Sequence, residues 1–139
     1  MAIFGAGSLW YDDTEKKDDF FLNKNFEIGW EYKDAEDLYG ALSCLKAGDI
    51  IYLKANRPGS NDIRVKGIGI ILKSFIHTKN DNKNYDLHTL KVEVKWVKTQ
   101  EFHIIFPANE GKFTNVRAAS FYEEYLPFVQ TEIINRLFS

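Results

Sequence analysis

Gly48-Asp49-Ile50-Ile51-Tyr52-Leu53-Lys54, followed by Arg64-Val65-Lys66-Gly67-Ile68-Gly69-Ile70-Ile71-Leu72, decides the fold. Two apolar, largely β-branched runs, each bounded by glycine, are joined by a polar connector that contains Asn56, Arg57, Pro58 and Gly59. Runs of this length and composition, punctuated by turn formers, read as two core strands. Their shortness and their glycines point to a small barrel.

Upstream, Asp34-Ala35-Glu36-Asp37 opens a helix with an N-cap candidate and early negative charge, and Leu38, Ala41, Leu42 and Leu45 follow at helical spacing. Gly48 then stands where a left-handed cap would end it and hand the chain to the first core strand. Further upstream, Ala2 to Phe4 reads as a short strand, Asp12 with Glu15 as a capping box opening a helix to Leu22, and Phe26 to Trp30 as an alternating strand. Downstream, the polar residues 78–84 read as a mobile surface loop. Leu90, Val92, Val94 and Trp96 alternate with Lys91, Glu93 and Lys95, and Phe102 to Phe106 forms a strand closed by Pro107. Ser120 with Glu123 predicts another helix start. Proline is tolerated only in the first turn of a helix, so the final amphipathic segment, with Val129, Ile133, Ile134 and Leu137, begins near Pro127. The sum is an α+β chain: a mixed sheet of five to six strands curled into a barrel and flanked by about three helices.

The chain has 139 residues, a length that fits one domain over residues 1–139. It has 45% hydrophobic and 15% aromatic residues, and no apolar run approaches the ~20 residues of a membrane span. With no signal-peptide pattern at Met1 to Gly5 and a single cysteine, Cys44, the expected location is cytoplasmic and reducing. A net charge of −2 excludes the global basicity of proteins that grip long duplexes through phosphates, so any nucleic-acid contact must be local.

Several motifs imitate known chemistry. Arg64 to Gly69 matches the R-x-x-G-x-G pyrophosphate turn, but that turn needs a helix N-terminus, and Ile70-Ile71-Leu72 favours a strand. The glycines then serve close strand crossing. Glu93 and Lys95, with Asp81 or Asp86 upstream, imitate a magnesium nuclease motif, although their face is also the solvated face of an alternating strand. His77, His88 and His103 lack metal-ligand spacing, so neither a metal nor a cofactor is expected. Cys44, on the best-marked helix, reads as a buried or half-buried thiol. What remains is a set of aromatic and polar residues at strand ends and connections: Ser8, Trp10, Trp30, Tyr32, Lys54, Asn56, Arg57 and Arg117. Flat rings can stack on a base while amides, hydroxyls or cations read its edge. They can equally plug the ends of a barrel.

Helix, Gly48-Asp49 opening a strand, a return strand with Gly67-Ile68-Gly69, and an alternating strand ending in Val94-Lys95-Trp96-Val97 together resemble the PUA-like superfamily, especially its EVE-type modified-base readers. The resemblance implies a small mixed barrel and recognition of a nucleotide or nucleic-acid base, often a modified one, in an aromatic-walled pocket. Trp10 and Trp30 match the pocket aromatics. It also implies a setting in bacterial defence or nucleic-acid modification. Two other readings stay open: a small hydrolase or transferase on the same barrel, and an oligomerising interaction domain whose exposed rings form an interface.

Overall fold

A computed structural model describes residues 1–10, 14–29, 34–55, 61–73, 91–107 and 120–139. The elements run β1 (Ile3–Gly7), α1 (Lys17–Asn23), β2 (Asn25–Phe26), α2 (Glu36–Leu42), β3 (Ile50–Ala55), β4 (Asp62–Ile71), β5 (Val92–Lys98), β6 (Phe102–Ile105), β7 (Phe121–Glu123) and α3 (Pro127–Leu137). β1 and β3 pair in parallel, from Ile3 opposite Ile50 to Gly7 opposite Lys54. Parallel neighbours cannot be joined by a tight turn, and the helical crossover between them supplies the connection. All other strand pairs described are antiparallel.

The order across the sheet is β2-β5-β4-β3-β1-β7, and β6 also pairs with β4. β5 lies against the second half of β4 and β6 against the first half. The two are one long partner strand interrupted at Thr99 to Glu101. The sheet curls into a half-barrel, as the strand pattern predicts, but with seven strands among the described residues rather than five or six.

Both faces of the central strands are buried, which explains the uninterrupted apolar run of β3. Ile51 and Leu53 join Phe4, Phe20, Phe26 and Leu42 under α1 and α2, whereas Ile50 and Tyr52 join Val129, Ile133 and Leu137 of α3. The Gly48-Asp49 turn ties the strands together. Gly48 is left-handed at φ +93°, and the buried Asp49 carboxylate accepts the N–H of Ala2 at 2.9 Å and that of Lys46 at 2.8 Å. On the α3 face, Tyr52 donates to Glu124 at 2.6 Å and therefore accepts from Tyr122 at 2.7 Å. Burial first, then the neighbouring Tyr122 and Glu124, push the Tyr52 hydroxyl well above its ordinary pKa, so it stays a donor. Glu124 also accepts the N–H of Leu126, just before α3.

Several local expectations are corrected. Ser120 to Glu123 is not a helix start: Phe121–Glu123 is a strand against β1, with Phe121 stacked on Phe4 at 5.3 Å on one face and Tyr122 bonded to Tyr52 on the other. Adjacent residues reach opposite faces only in extended backbone. The first helix begins at Lys17, not at Asp12, which lies outside the described residues. The N-cap of α2 is Ala35 rather than Asp34, and α2 ends at Leu42, so Gly48 turns the chain into β3 some way past the helix. Of the strand expected over Phe26 to Trp30, the described part that pairs is Asn25–Phe26. Cys44 is exposed. The loop at 78–84, Asp81, Asp86, His77 and His88 lie outside the described residues, while Glu93 and Lys95 face solvent on β5. No described helix is long and apolar enough to cross a membrane.

Gly67 and Gly69 lie inside β4 and do not frame a phosphate turn. A Cβ at Gly69 would stand 2.5 Å from Val94 Cγ1 and 2.8 Å from Trp96 Cε3; one at Gly67 would meet the Phe21 ring at 2.7 Å. At Gly40 in α2, by contrast, an added Cβ would find nothing within 4 Å. Gly69→Ala is expected to lower stability by about 1–3 kcal/mol through overpacking, and Gly40→Ala to raise it by about 0.5–1 kcal/mol through helix propensity. Urea denaturation of the two variants checks both signs.

Candidate functional site

Past Gly7 the chain leaves the sheet and turns back on itself. Leu9 and Glu15 form an isolated antiparallel bridge, the Trp10 N–H donates to Thr14 O at 3.0 Å, and the Lys16 N–H donates to Ser8 O at 2.8 Å. Trp10 sits on the outgoing arm of this loop.

Three polar side chains close the base of the loop. Leu53 pairs with Gly67 and Lys54 with Val65, so Lys66 is the extra residue of a β-bulge. Bulges re-aim side chains, and the next residue, Gly67, adds none to compete for the space. Lys66 is only 4% exposed. Its Nζ donates to Ser8 Oγ at 3.0 Å and to Glu15 Oε1, and Ser8 Oγ donates to Glu15 Oε2 at 2.6 Å. Glu15 Oε2 also accepts the N–H groups of Lys16 at 3.0 Å and Lys17 at 3.3 Å, where α1 begins. Burying an ammonium costs several kcal/mol unless it is paired and hydrogen-bonded, and both conditions are met. Burial tends to raise the Glu15 carboxyl, but hydrogen bonds from Lys66 and Ser8, the Lys66 charge and the Lys17 N–H outweigh it and hold the group below its ordinary value.

The Trp10 indole rests on Gly29. A Cβ there would lie 2.5 Å from Cγ, 2.6 Å from Cδ1 and 2.7 Å from Cδ2, near-equal distances that place the ring face against the backbone. Only glycine permits this approach. Lys16 Nζ stands 4.7 Å from the ring centroid while pairing with Asp19 at 3.0 Å. Trp10 Nε1 is buried without a hydrogen-bond partner among the described residues, a donor that costs about 1–3 kcal/mol to leave unmet. Trp10, Gly7, Leu9, Phe26, Ile28, Gly29 and Ser120 line a cavity of about 20 Å³, room for about one water and less than a nucleobase needs. A larger open groove of about 670 Å³ runs between β6 and α3 past His103, Ile105, Pro127, Phe128 and Glu132. It is wider, but it holds no orphaned donor and no paired buried charge among the described residues. The candidate site is therefore the Trp10 segment.

Ser8 and Lys66 stand at the distance of a serine–lysine nucleophile pair. Ser8 is fully buried, however, its proton is directed to Glu15, and the lysine is ion-paired with the same carboxylate. The trio is a brace.

Of the residues singled out in the sequence, Ser8 and Trp10 come together in this loop. Lys54 projects to the opposite face, 5.6 Å from the Tyr122 ring centroid. Trp30, Tyr32, Asn56, Arg57 and Arg117 lie outside the described residues. Sequence reasoning missed Glu15, Lys16, Gly29 and Lys66 as site residues. The one signal for Lys66 is a charge set within the apolar pattern of β4, and it is shared with the misleading R-x-x-G-x-G match.

No family model matches the chain. No curated protein matches it either. Among solved structures it is similar to the YTH domain of the Zygosaccharomyces rouxii MRB1 protein, solved in complex with N6-methyladenosine RNA: 18% identity, TM-score 0.55, covering 98% of this chain and 86% of that one. It is also similar to a hypothetical protein from Leishmania major, at 12% identity and TM-score 0.53, covering 99% and 95% of the two chains. At these identities the likeness is one of fold.

Because the folded Glu15 carboxyl sits below its ordinary value, its contribution to stability is complete above the ordinary glutamate range and is lost as pH falls through the folded value. The difference in Tm between the parent and Glu15→Gln should be constant above about pH 6 and should shrink below about pH 4. Melts across that range check it.

Proposed function

We propose that the chain is a non-enzymatic module that binds a nucleotide or a nucleic-acid base, with a modified base as its preferred ligand, as PUA-like and EVE-type readers do. The observation that carries this reading is Trp10: a ring seated on glycine, with a buried indole N–H that has no partner among the described residues. A base would offer that donor an acceptor and would stack on the ring once the indole shifts to widen its cavity. In this reading Trp30 is the second stacking ring, Asn56 or Arg57 reads the edge or the phosphate, and Tyr32 and Arg117 are further ligand-binding candidates. Ser8 takes part by holding the loop. Lys54, on the other face of the sheet, contributes from outside the stacking set. The setting is cytoplasmic, in a bacterial defence or nucleic-acid-modification system.

Two further points support the reading. The neighbouring YTH domain was solved with N6-methyladenosine RNA, on a half-barrel of the same overall fold. The net charge of −2 suits recognition of one base better than a long phosphate track, so affinity should fall only shallowly with salt.

The experiment is a titration of the protein with single-stranded oligonucleotides that carry N6-methyladenosine, other modified bases or none. Trp10→Ala and Trp30→Ala should each weaken binding by about 1–3 kcal/mol, the worth of one base stack, with the cooperative melt retained. A parent protein that binds no oligonucleotide in the panel overturns the reading. Loss of the cooperative melt in Trp10→Ala identifies the ring as core filler instead.

A further inference from the structure

We propose that Lys66 is a positioning residue for the binding loop, fixing Trp10 from a distance through Ser8 and Glu15. The inference rests on the base-binding reading for its purpose but on independent geometry for its mechanism. A lysine at an ordinary β4 position would put its charge in register with a neighbour on β3. Lys66 has no such neighbour, because the register slips at this one residue, between Leu53 and Lys54. The slip frees the side chain to cross to the Trp10 loop, where it meets a hydroxyl and a carboxylate that already touch each other.

What Glu15 does with its two oxygens gives the brace its direction. One takes the Lys66 ammonium; the other takes Ser8 Oγ and the N–H groups of Lys16 and Lys17, where α1 begins. Ser8 lies just before the arm that carries Trp10, and Glu15 lies at its return, bridged to Leu9. Lys66 therefore holds both ends of the loop from the rigid sheet, and Trp10 is carried between them. Sheet-anchored supports of this kind keep a binding ring in its productive orientation. A lysine that served only to fill space would need neither the bulge nor the carboxylate.

The test separates position from stability. Protein labelled with fluorotryptophan gives one fluorine resonance for each of the three tryptophans, and Trp10→Phe identifies the one from Trp10. In Lys66→Met and in Glu15→Gln the Trp10 resonance should move toward the solvent-exposed position while the other two stay. Affinity for the oligonucleotide that the parent binds best should fall about tenfold, on the scale of one lost stack, with the cooperative melt intact. Should Lys66→Met fail to fold, Glu15→Gln decides, since that side chain is partly exposed. An unmoved Trp10 resonance overturns the proposal. A parent protein that binds nothing in the panel overturns base binding alone, and the resonance still decides the brace.

Discussion

Two parallel strands buried on both faces are the constraint on which the rest of this structure depends. β1 and β3 must be joined by a crossover, so α1 and α2 fall between them in sequence and cover one face. The other face cannot be left wet, because Ile50 and Tyr52 are fully buried there, and α3 closes it. Asp49 fixes the pairing at its start: a carboxylate 1% exposed takes the N–H of Ala2 at the entry to β1 and that of Lys46 on the way into β3. Register, layer order and the place where β1 lets the chain go are all consequences.

Much of this was legible because it is written locally. The run Ile50 to Leu53 announces two-sided burial, the alternation of Val92 and Val94 with Glu93 and Lys95 announces a strand, and Pro127 marks the first turn of α3. Helix ends and the exposure of Cys44 were misjudged locally, but the larger failures are non-local. A three-residue strand such as β7 has too few residues to show a period, and only the presence of β1 beside it makes Phe121 and Tyr122 point to opposite faces. The site was half legible for the same reason. Trp10 and Ser8 could be suspected from their place just past a short strand, but Lys66 is 51 residues from Glu15, and no spacing rule reaches that far. Glu15 itself has the spacing of a capping-box partner for Asp12, whereas its carboxylate serves the start of α1 directly.

The aromatic excess has a physical account in the glycines. Trp10 lies on Gly29, Phe21 on Gly67, Trp96 beside Gly69 and Tyr122 over Gly5, in each case closer than any side chain would allow. Rings seated on bare backbone bury a large apolar area in a thin layer, which suits a strongly curved sheet with little depth for tall side chains. Three of these rings have their polar handles satisfied or face another ring: Tyr122 bonds to Tyr52, Trp96 donates to Asn25 O, and Phe21 meets Trp96 edge-on. Trp10 is the exception, and the exception lies on the loop held by the buried Lys66.

The pairing of β7 with β1 also carries a consequence for biogenesis. Phe4 finds its antiparallel partner at Glu123, most of the described chain later, and the parallel contact between β1 and β3 must wait for the crossover. Emerging from a ribosome, the chain would therefore hold an open β1 edge until β7 is released, a span in which another nascent copy can claim that edge. A β7 of only three residues limits the loss: it is short, it seats Phe121 and Tyr122, and it can dock late onto strands already paired.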